Sequence, residues 1–264
     1  MKSFSLPLDQ IDMRLLSLRR PPQVAVGRMA DALRKQGQLT PVVVADKVLV
    51  DGFKRCAASQ ILGRDRLEAM TIDADHVRAK AMTLLLNPGR SWSLIQEGLL
   101  VKELVDVDGL SQAEVVSLLD RHKSWVSRRL LLINSLGPEI IKDIQLELLP
   151  PGSGLHLARL HTCNQPDFSA AIQGHRLNVG EVRTLVDLWS KAKDQELRKY
   201  LLHDPRQALA VHQEQQSVQK ALSRLWNIFA SLEKKLVHQE QYRSALELVK
   251  NSLQTLNNTI QGET

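Results

Sequence analysis

The chain has 264 residues, 43% of them hydrophobic and only 4% aromatic, with a formal net charge of +6 and a pI near 9.4. That length allows more than one domain around an aliphatic core, and the basic balance suits a polyanionic partner. No apolar run is long enough for a bilayer, no signal-peptide pattern opens the chain, and Cys56 and Cys163 lack metal-ligand spacing. The expectation is a cytoplasmic protein with reduced thiols and no membrane partner.

Residues 1–22 read as an extended arm whose Leu6, Leu8 and Ile11 pack on the adjoining domain, ending at Pro21-Pro22. A helix is expected over Val26–Lys35 with Met29, Ala32 and Leu33 inward, stopped by Gly37. The period then changes. The β-branched runs Pro41–Val44 and Val48–Val50 flank Ala45-Asp46-Lys47 as a short hairpin. Asp51-Gly52 turns into a helix from Phe53 to Leu62, and Arg66–Ile72 reads as another strand. Ala79–Leu86 is helical up to Asn87-Pro88-Gly89, and Ser93 caps a helix through Leu104 with Ile95, Leu99 and Leu100 inside.

Leu110–Leu136 carries the clearest signal. Ser111 and Glu114 form a capping box, and Val115, Leu118 and Leu119 give the first helix an apolar stripe. Asp120-Arg121-His122 can turn. A second helix from Lys123 or Ser124 then buries Val126, Leu130 and Ile133, turning Lys123, Ser124, Trp125, Ser127, Arg128 and Arg129 outward. That is the layout of a helix-turn-helix, whose second helix presents its N-terminal residues to base edges in the major groove. A plain helical hairpin with a basic outer face is the alternative.

Helices continue beyond Pro138. A break is expected at Pro150-Pro151-Gly152, a short helix over Leu155–Leu160 bearing His156 and Arg159, and a helix from Val179 to Lys191 capped by Asn178, with Trp189 buried. His122, His156 and His161 are assigned no role. After Asp204-Pro205, apolar residues recur at 218, 222, 225, 229, 232 and 236, then at 246, 249, 253, 256 and 260, with a polar break near His238–Gln241. This three-four spacing fits a coiled coil or a long helical hairpin. A second chain is the expected cover for the stripe, and the rest of this chain the alternative. The expected class is α+β: an arm (1–22), an α/β domain (23–90), a helical domain with the helix-turn-helix (91–204) and a helical dimerisation segment (205–264).

Two stretches have phosphate-binding chemistry. Gly52, Lys54 and Arg55 stand at a strand-to-helix turn, where backbone N–H groups and the helix dipole favour an anion; Asn87 and Arg90 bracket a second turn. The structural alternative is an ordinary turn with solvated cations. Asp51, Asp73 and Asp75 are acidic residues at loop positions and make no case for a nuclease.

The order of these pieces resembles the ParB/KorB family of DNA-partition proteins from Leu6 to Lys191. The matching segments are Gln38–Val43, Gly52–Arg55 with Ala57-Ala58, Asn87-x-x-Arg90, Leu110–Glu114 with Ser124–Leu130, and Asn178–Val182. Arg121–Val126 is most similar to ParB-like proteins of transposons and other mobile elements. The resemblance implies a dimer reading a short inverted repeat in double-stranded DNA through the helix-turn-helix and the helices after it. Ser111, Gln112, Arg121, Lys123, Ser124, Trp125, Ser127, Arg128, Arg129 and Arg159 are then the DNA-contact candidates. It also implies CTP with Mg²⁺, slow hydrolysis and closure into a sliding clamp on nucleoid DNA. Gly52, Lys54 and Arg55 would hold the triphosphate, Asn87 would help hold the metal, and Arg90 would lie near the phosphates. A ParA-type ATPase or another mobile-element protein is the implied partner; any motor must be a separate protein, because the chain has no P-loop. The chain departs from the family where Phe53 and Leu86 replace glutamates, which leaves binding without turnover, or no nucleotide, as alternatives.

Overall fold

The computed structural model describes residues 3–87, 92–236 and 239–262, the last three by backbone alone. The chain forms two compact units, Met1–Ser190 and Lys191–Thr264. The boundary precedes Asp204-Pro205, which is the junction of two helices.

The first unit opens with a four-stranded sheet of β1 (Phe4–Pro7), β2 (Val42–Ala45), β3 (Val48–Asp51) and β4 (Arg66–Thr71), in the order β1-β4-β2-β3. β1 runs antiparallel to β4, β4 parallel to β2, and β2 antiparallel to β3. The expected arm is therefore part of the sheet. Phe4 pairs with Ala69, and further on Asp12 bridges to Val48 at the opposite edge. Unpaired N–H and C=O groups along β4 and β3 give these residues a partner that apolar anchoring alone did not suggest. The β2–β3 turn places Asp46 and Lys47 at positive φ, the two-residue hairpin geometry that follows the strand twist.

Helices α1 (Gln23–Gln36), α2 (Phe53–Ile61) and α3 (His76–Leu85) complete the α/β layer. In α1 Val26, Ala30 and Leu33 are buried, Met29 is half-buried and Ala32 is exposed, so the inner face lies one step round from the expected one. α3 starts earlier than expected because the Asp75 carboxylate accepts from the Arg78 N–H as an N-cap.

The helical part continues with α4 (Leu94–Asp106), α5 (Gln112–Leu119), α6 (Lys123–Asn134), α7 (Pro138–Gln145), α8 (Ser153–Leu157), α9 (Gln165–His175) and α10 (Val179–Lys191). α8 begins and ends earlier than the expected Leu155–Leu160 segment. Trp189 is half-buried, its ring edge-on to Phe168 at 5.6 Å. One continuous apolar core joins Leu6, Val42, Leu49 and Leu67 of the sheet to Leu100 and Leu104 of α4, Val115 and Leu119 of α5, and Val126 and Leu130 of α6. The sheet therefore backs the helix-turn-helix directly. Buried Gln165 ties the following loops together: its carbonyl accepts from the Gly137 N–H, and its amide donates to the Ser135 carbonyl. Among the described residues no helix is long and apolar enough to cross a membrane.

The second unit contains α11 (Gln195–His203), the long α12 (Pro205–Leu236) and α13 (Arg243–Gly262). α12 and α13 form a helical hairpin. Leu222 and Phe229 of α12 and Leu253 of α13 are buried. Of the expected break at His238–Gln241, residue 238 lies outside the described residues, and Glu240–Tyr242 is a 3-10 turn.

Candidate nucleic-acid and nucleotide sites

The helix-turn-helix is built by local chemistry. The Ser111 hydroxyl and N–H both donate to the Glu114 carboxylate at 2.7 Å, and the Glu114 N–H donates back to the hydroxyl at 3.3 Å. These bonds hold the Glu114 carboxyl below its usual range. Asp120 ends α5 in the left-handed region (φ 49°), a conformation Asp tolerates better than most residues. His122 caps α6: its Nδ1 accepts from the Ser124 N–H at 3.2 Å and lies 2.9 Å from the Ser124 hydroxyl. Sequence reasoning missed this cap because His is not a common N-cap residue.

Lys123, Ser124, Ser127 and Arg128 are exposed on the first turns of α6, Arg121 is exposed in the turn before it, and Ser111 and Gln112 are exposed at the start of α5. The α6 residues with Arg121 give the N-terminal end of that helix basic and hydrogen-bonding side chains. Two expected members do not join them. Trp125 is half-buried against the core, with the guanidinium groups of Arg121 and Arg129 over its ring at 5.5 and 5.0 Å. Arg129 turns towards α4, where its Nε donates to Glu97 at 2.6 Å, both side chains being 16% exposed. α6 reaches α4 closely because residue 98 is Gly; a Cβ there would lie 3.1 Å from the Arg129 carbonyl oxygen. Trp125 and Arg129 thus fasten the helix rather than face outward. Arg159 is half-exposed and pairs with Asp187 of α10 at 2.7 Å. Beside it, burial and the charges of Arg159 and Arg183 hold the His156 imidazole below its usual range.

A second unforeseen cluster joins α3 to the lead-in of α5. The buried Lys80 ammonium donates to Asp108 at 2.9 Å and to Glu103 at 3.0 Å, and His76 lies 3.3 Å from Asp108. Burial works against the charge, but the two carboxylates outweigh it and raise the Lys80 pKa. No sequence pattern joins positions 76, 80, 103 and 108.

Of the phosphate candidates, Gly52, Lys54 and Arg55 border a cavity of about 810 Å³, which is also lined by Arg19, Arg20, Asp51 and Trp92 among others. Gly52 is dictated by the fold: its φ is 106°, and a Cβ would sit 2.6 Å from Val42 Cγ1. Phe53 is buried in the core. Lys54 is exposed. Arg55 is largely buried: Nη1 donates to the carbonyl of Thr40 (2.7 Å), its hydroxyl (2.9 Å) and the Pro41 carbonyl, and Nη2 to Asp51 (2.8 Å). Asn87 is buried, and its amide donates to Asp51 and to the Thr83 carbonyl, each at 3.1 Å. Arg90, with Pro88 and Gly89, lies outside the described residues. Among the described residues no group of three or more His, Cys, Asp or Glu is gathered for a metal ion. A polyphosphate fits the lysine and the helix N-terminus. A magnesium ion bound with a nucleotide would take most of its oxygens from the phosphates and water, and Asp51, the carboxylate beside the Gly52 turn, already accepts from Arg55 and Asn87.

No family model matches the chain. The probable chromosome-partitioning protein ParB of Campylobacter jejuni is 23% identical over 191 residues, covering 70% of this chain and 68% of that protein. Its Treponema pallidum counterpart is 23% identical over 144 residues, 52% of this chain and 44% of that protein. The chain thus spans about two thirds of the length of the first and under half of the second. Among solved structures, the truncated ParB of Caulobacter crescentus, crystallised with its centromeric parS site, is 18% identical with a TM-score of 0.37, covering 70% of this chain and 99% of that one. The same protein with CTP-γ-S gives 18% and 0.31, covering 66% and 98%. The pNOB8-like ParB N-domain gives 15% and 0.40, covering 80% and 96%.

Proposed function

We propose that this chain, ParB-like in sequence, is a DNA-partition protein that reads a short inverted repeat through α5 and α6. The observation that carries this is the exposed set Lys123, Ser124, Ser127 and Arg128 on the first turns of a capped second helix. Arg and Lys suit guanine edges, Ser suits phosphate or base, and the helix N-terminus adds a positive dipole end. The supporting residues are Ser111, Gln112 and Arg121; Arg159 is a phosphate contact only if it leaves Asp187. Trp125 and Arg129 set the position of the reading helix.

An inverted repeat needs two copies. On the hairpin, Val211, Val218, Leu225 and Leu232 recur every seven residues and are exposed, as are Tyr242, Val249 and Leu256. This second stripe is distinct from the one α12 and α13 bury between them. A second copy supplies its cover, giving a dimer through 205–264 that works on DNA in the cytoplasm. Plasmid or mobile-element maintenance, with a separate ParA-type ATPase, is the proposed setting.

The nucleotide reading rests on the cavity at Lys54, Arg19 and Arg20. CTP would be held there by its phosphates. The donor set favours binding without rapid turnover, since Leu86 stands where a glutamate would be and Asp51 is already engaged.

The test is selection from a random DNA pool at physiological salt, with and without CTP·Mg²⁺. One enriched inverted repeat is the expected result, and a CTP effect on its retention would mark a clamp. Binding without enrichment that disappears as salt rises would reduce α6 to a nonspecific basic surface.

A further inference from the structure

We infer that Asp51 is a positioning residue of the cavity, holding the Gly52 turn in register with the strand entry and the end of α3, and that Arg55 is a brace rather than a phosphate ligand. This rests on the nucleotide reading above and deepens it. Asp51 ends β3, immediately before Gly52. One carboxylate oxygen accepts from Arg55 on α2 and the other from Asn87 just beyond α3. Arg55 carries the connection to the Thr40 and Pro41 carbonyls at the entry to β2, and Asn87 carries it to Thr83. A single carboxylate thereby links the strand entry, the Gly52 turn and the end of α3.

The Asp51 and Arg55 side chains are only 16% and 11% exposed, so their charge-assisted bond is weakly screened. A guanidinium is planar, with its donors in a fixed fork. To reach a phosphate, Arg55 would have to abandon a buried carboxylate and the Thr40 and Pro41 carbonyls, leaving acceptors unsatisfied. Its neighbour Lys54 is exposed, and is the cation that α2 presents to a nucleotide polyphosphate.

The alternative account predicts the opposite sign. A carboxylate near a polyphosphate repels it, so on charge alone Asp51→Asn should tighten binding and release Arg55 towards the anion. As a positioning residue, Asp51 is needed for binding. Calorimetry on the full chain with CTP and with inorganic tripolyphosphate separates the two. The expected result is that Asp51→Asn weakens both ligands by about tenfold, in line with losing one charge-assisted hydrogen bond. Arg55→Lys keeps the charge, loses the fork, and should weaken binding similarly. Hydrogen exchange without ligand is the second measurement. Asp51→Asn should accelerate exchange in peptides covering 38–42 and 83–87 together, whereas Lys54→Ala should weaken binding and leave both peptides protected. Unchanged or tighter binding in Asp51→Asn, wild-type binding in Arg55→Lys, or exchange altered in one peptide alone would overturn the inference. If the wild-type chain binds neither ligand, the nucleotide reading fails, and the exchange data alone decide whether Asp51 couples the segments.

Discussion

Asp108→Asn tests whether the buried cluster on α3 fastens the sheet layer to the helix-turn-helix. The Asp108 side chain is 3% exposed and that of Lys80 10%, so removing the carboxylate charge strands an ammonium in a poorly solvated site. Breaking a buried ion pair by removing one partner costs about 3–5 kcal/mol. Glu103 remains 3.0 Å from the ammonium and is 35% exposed, so it retains part of the charge compensation. The expected loss is therefore about 2–3 kcal/mol, below that full range. Lys80→Met should cost more, because Asp108 then keeps only His76 within ion-pair distance among the described residues. The double variant Lys80→Met/Asp108→Leu should cost less than the sum of the singles. Urea unfolding followed by tryptophan fluorescence is the assay, since Trp92 and Trp125 pack in the same core. A change within about 0.5 kcal/mol for Asp108→Asn, or strict additivity in the double variant, would refute the reasoning. The pH dependence has a definite sign. The Lys80 pKa is raised above 10.5 in the fold, so its stabilisation is complete below pH 10.5 and is lost as pH rises through the folded value.

Side-chain placement sets the other expectations. Arg128→Ala should lose about 1–3 kcal/mol at the selected DNA site and relax specificity at one base pair, with the melting temperature unchanged. Arg129→Ala should instead lower stability by about 2 kcal/mol, because it leaves Glu97 unpaired at the α4–α6 contact. Specific DNA affinity falling without loss of stability in Arg129→Ala would reverse those roles. Leu225→Glu with Leu232→Glu should halve the mass in solution while helicity is kept, whereas Phe229→Ala should destabilise the hairpin by about 3–5 kcal/mol. An unchanged mass in the glutamate variant would remove the dimer face. Burial pushes the Cys56 thiol up to about 11, so it stays protonated near neutral pH and unreactive, while exposed Cys163 should alkylate. Mass spectrometry of the native chain after iodoacetamide should show a single adduct on Cys163.

Features that depend on neighbours a few residues apart could be read directly. The Ser111–Glu114 box, the Asp46-Lys47 hairpin turn, the Gly37 stop and the apolar period of α6 are all set by short-range sterics and hydrogen bonding. The apolar stripe of α12 was equally legible, although a period shows only that a face needs cover. The tertiary structure decided what covers each face. It showed that one row on the hairpin is buried with α13 while a second row stays open. It drew the first residues into the sheet by pairing Phe4 with Ala69. It also turned Arg129 and Trp125 inward, because both flank the apolar stripe of α6 and the close approach to α4 at Gly98 gives Arg129 a carboxylate there. Asp51, bonded to Asn87 thirty-six positions away, belongs to the same class. Sequence carries the local energies that select helix, turn and cap. Only the packed chain brings distant charges within bonding distance, where low dielectric makes them strong.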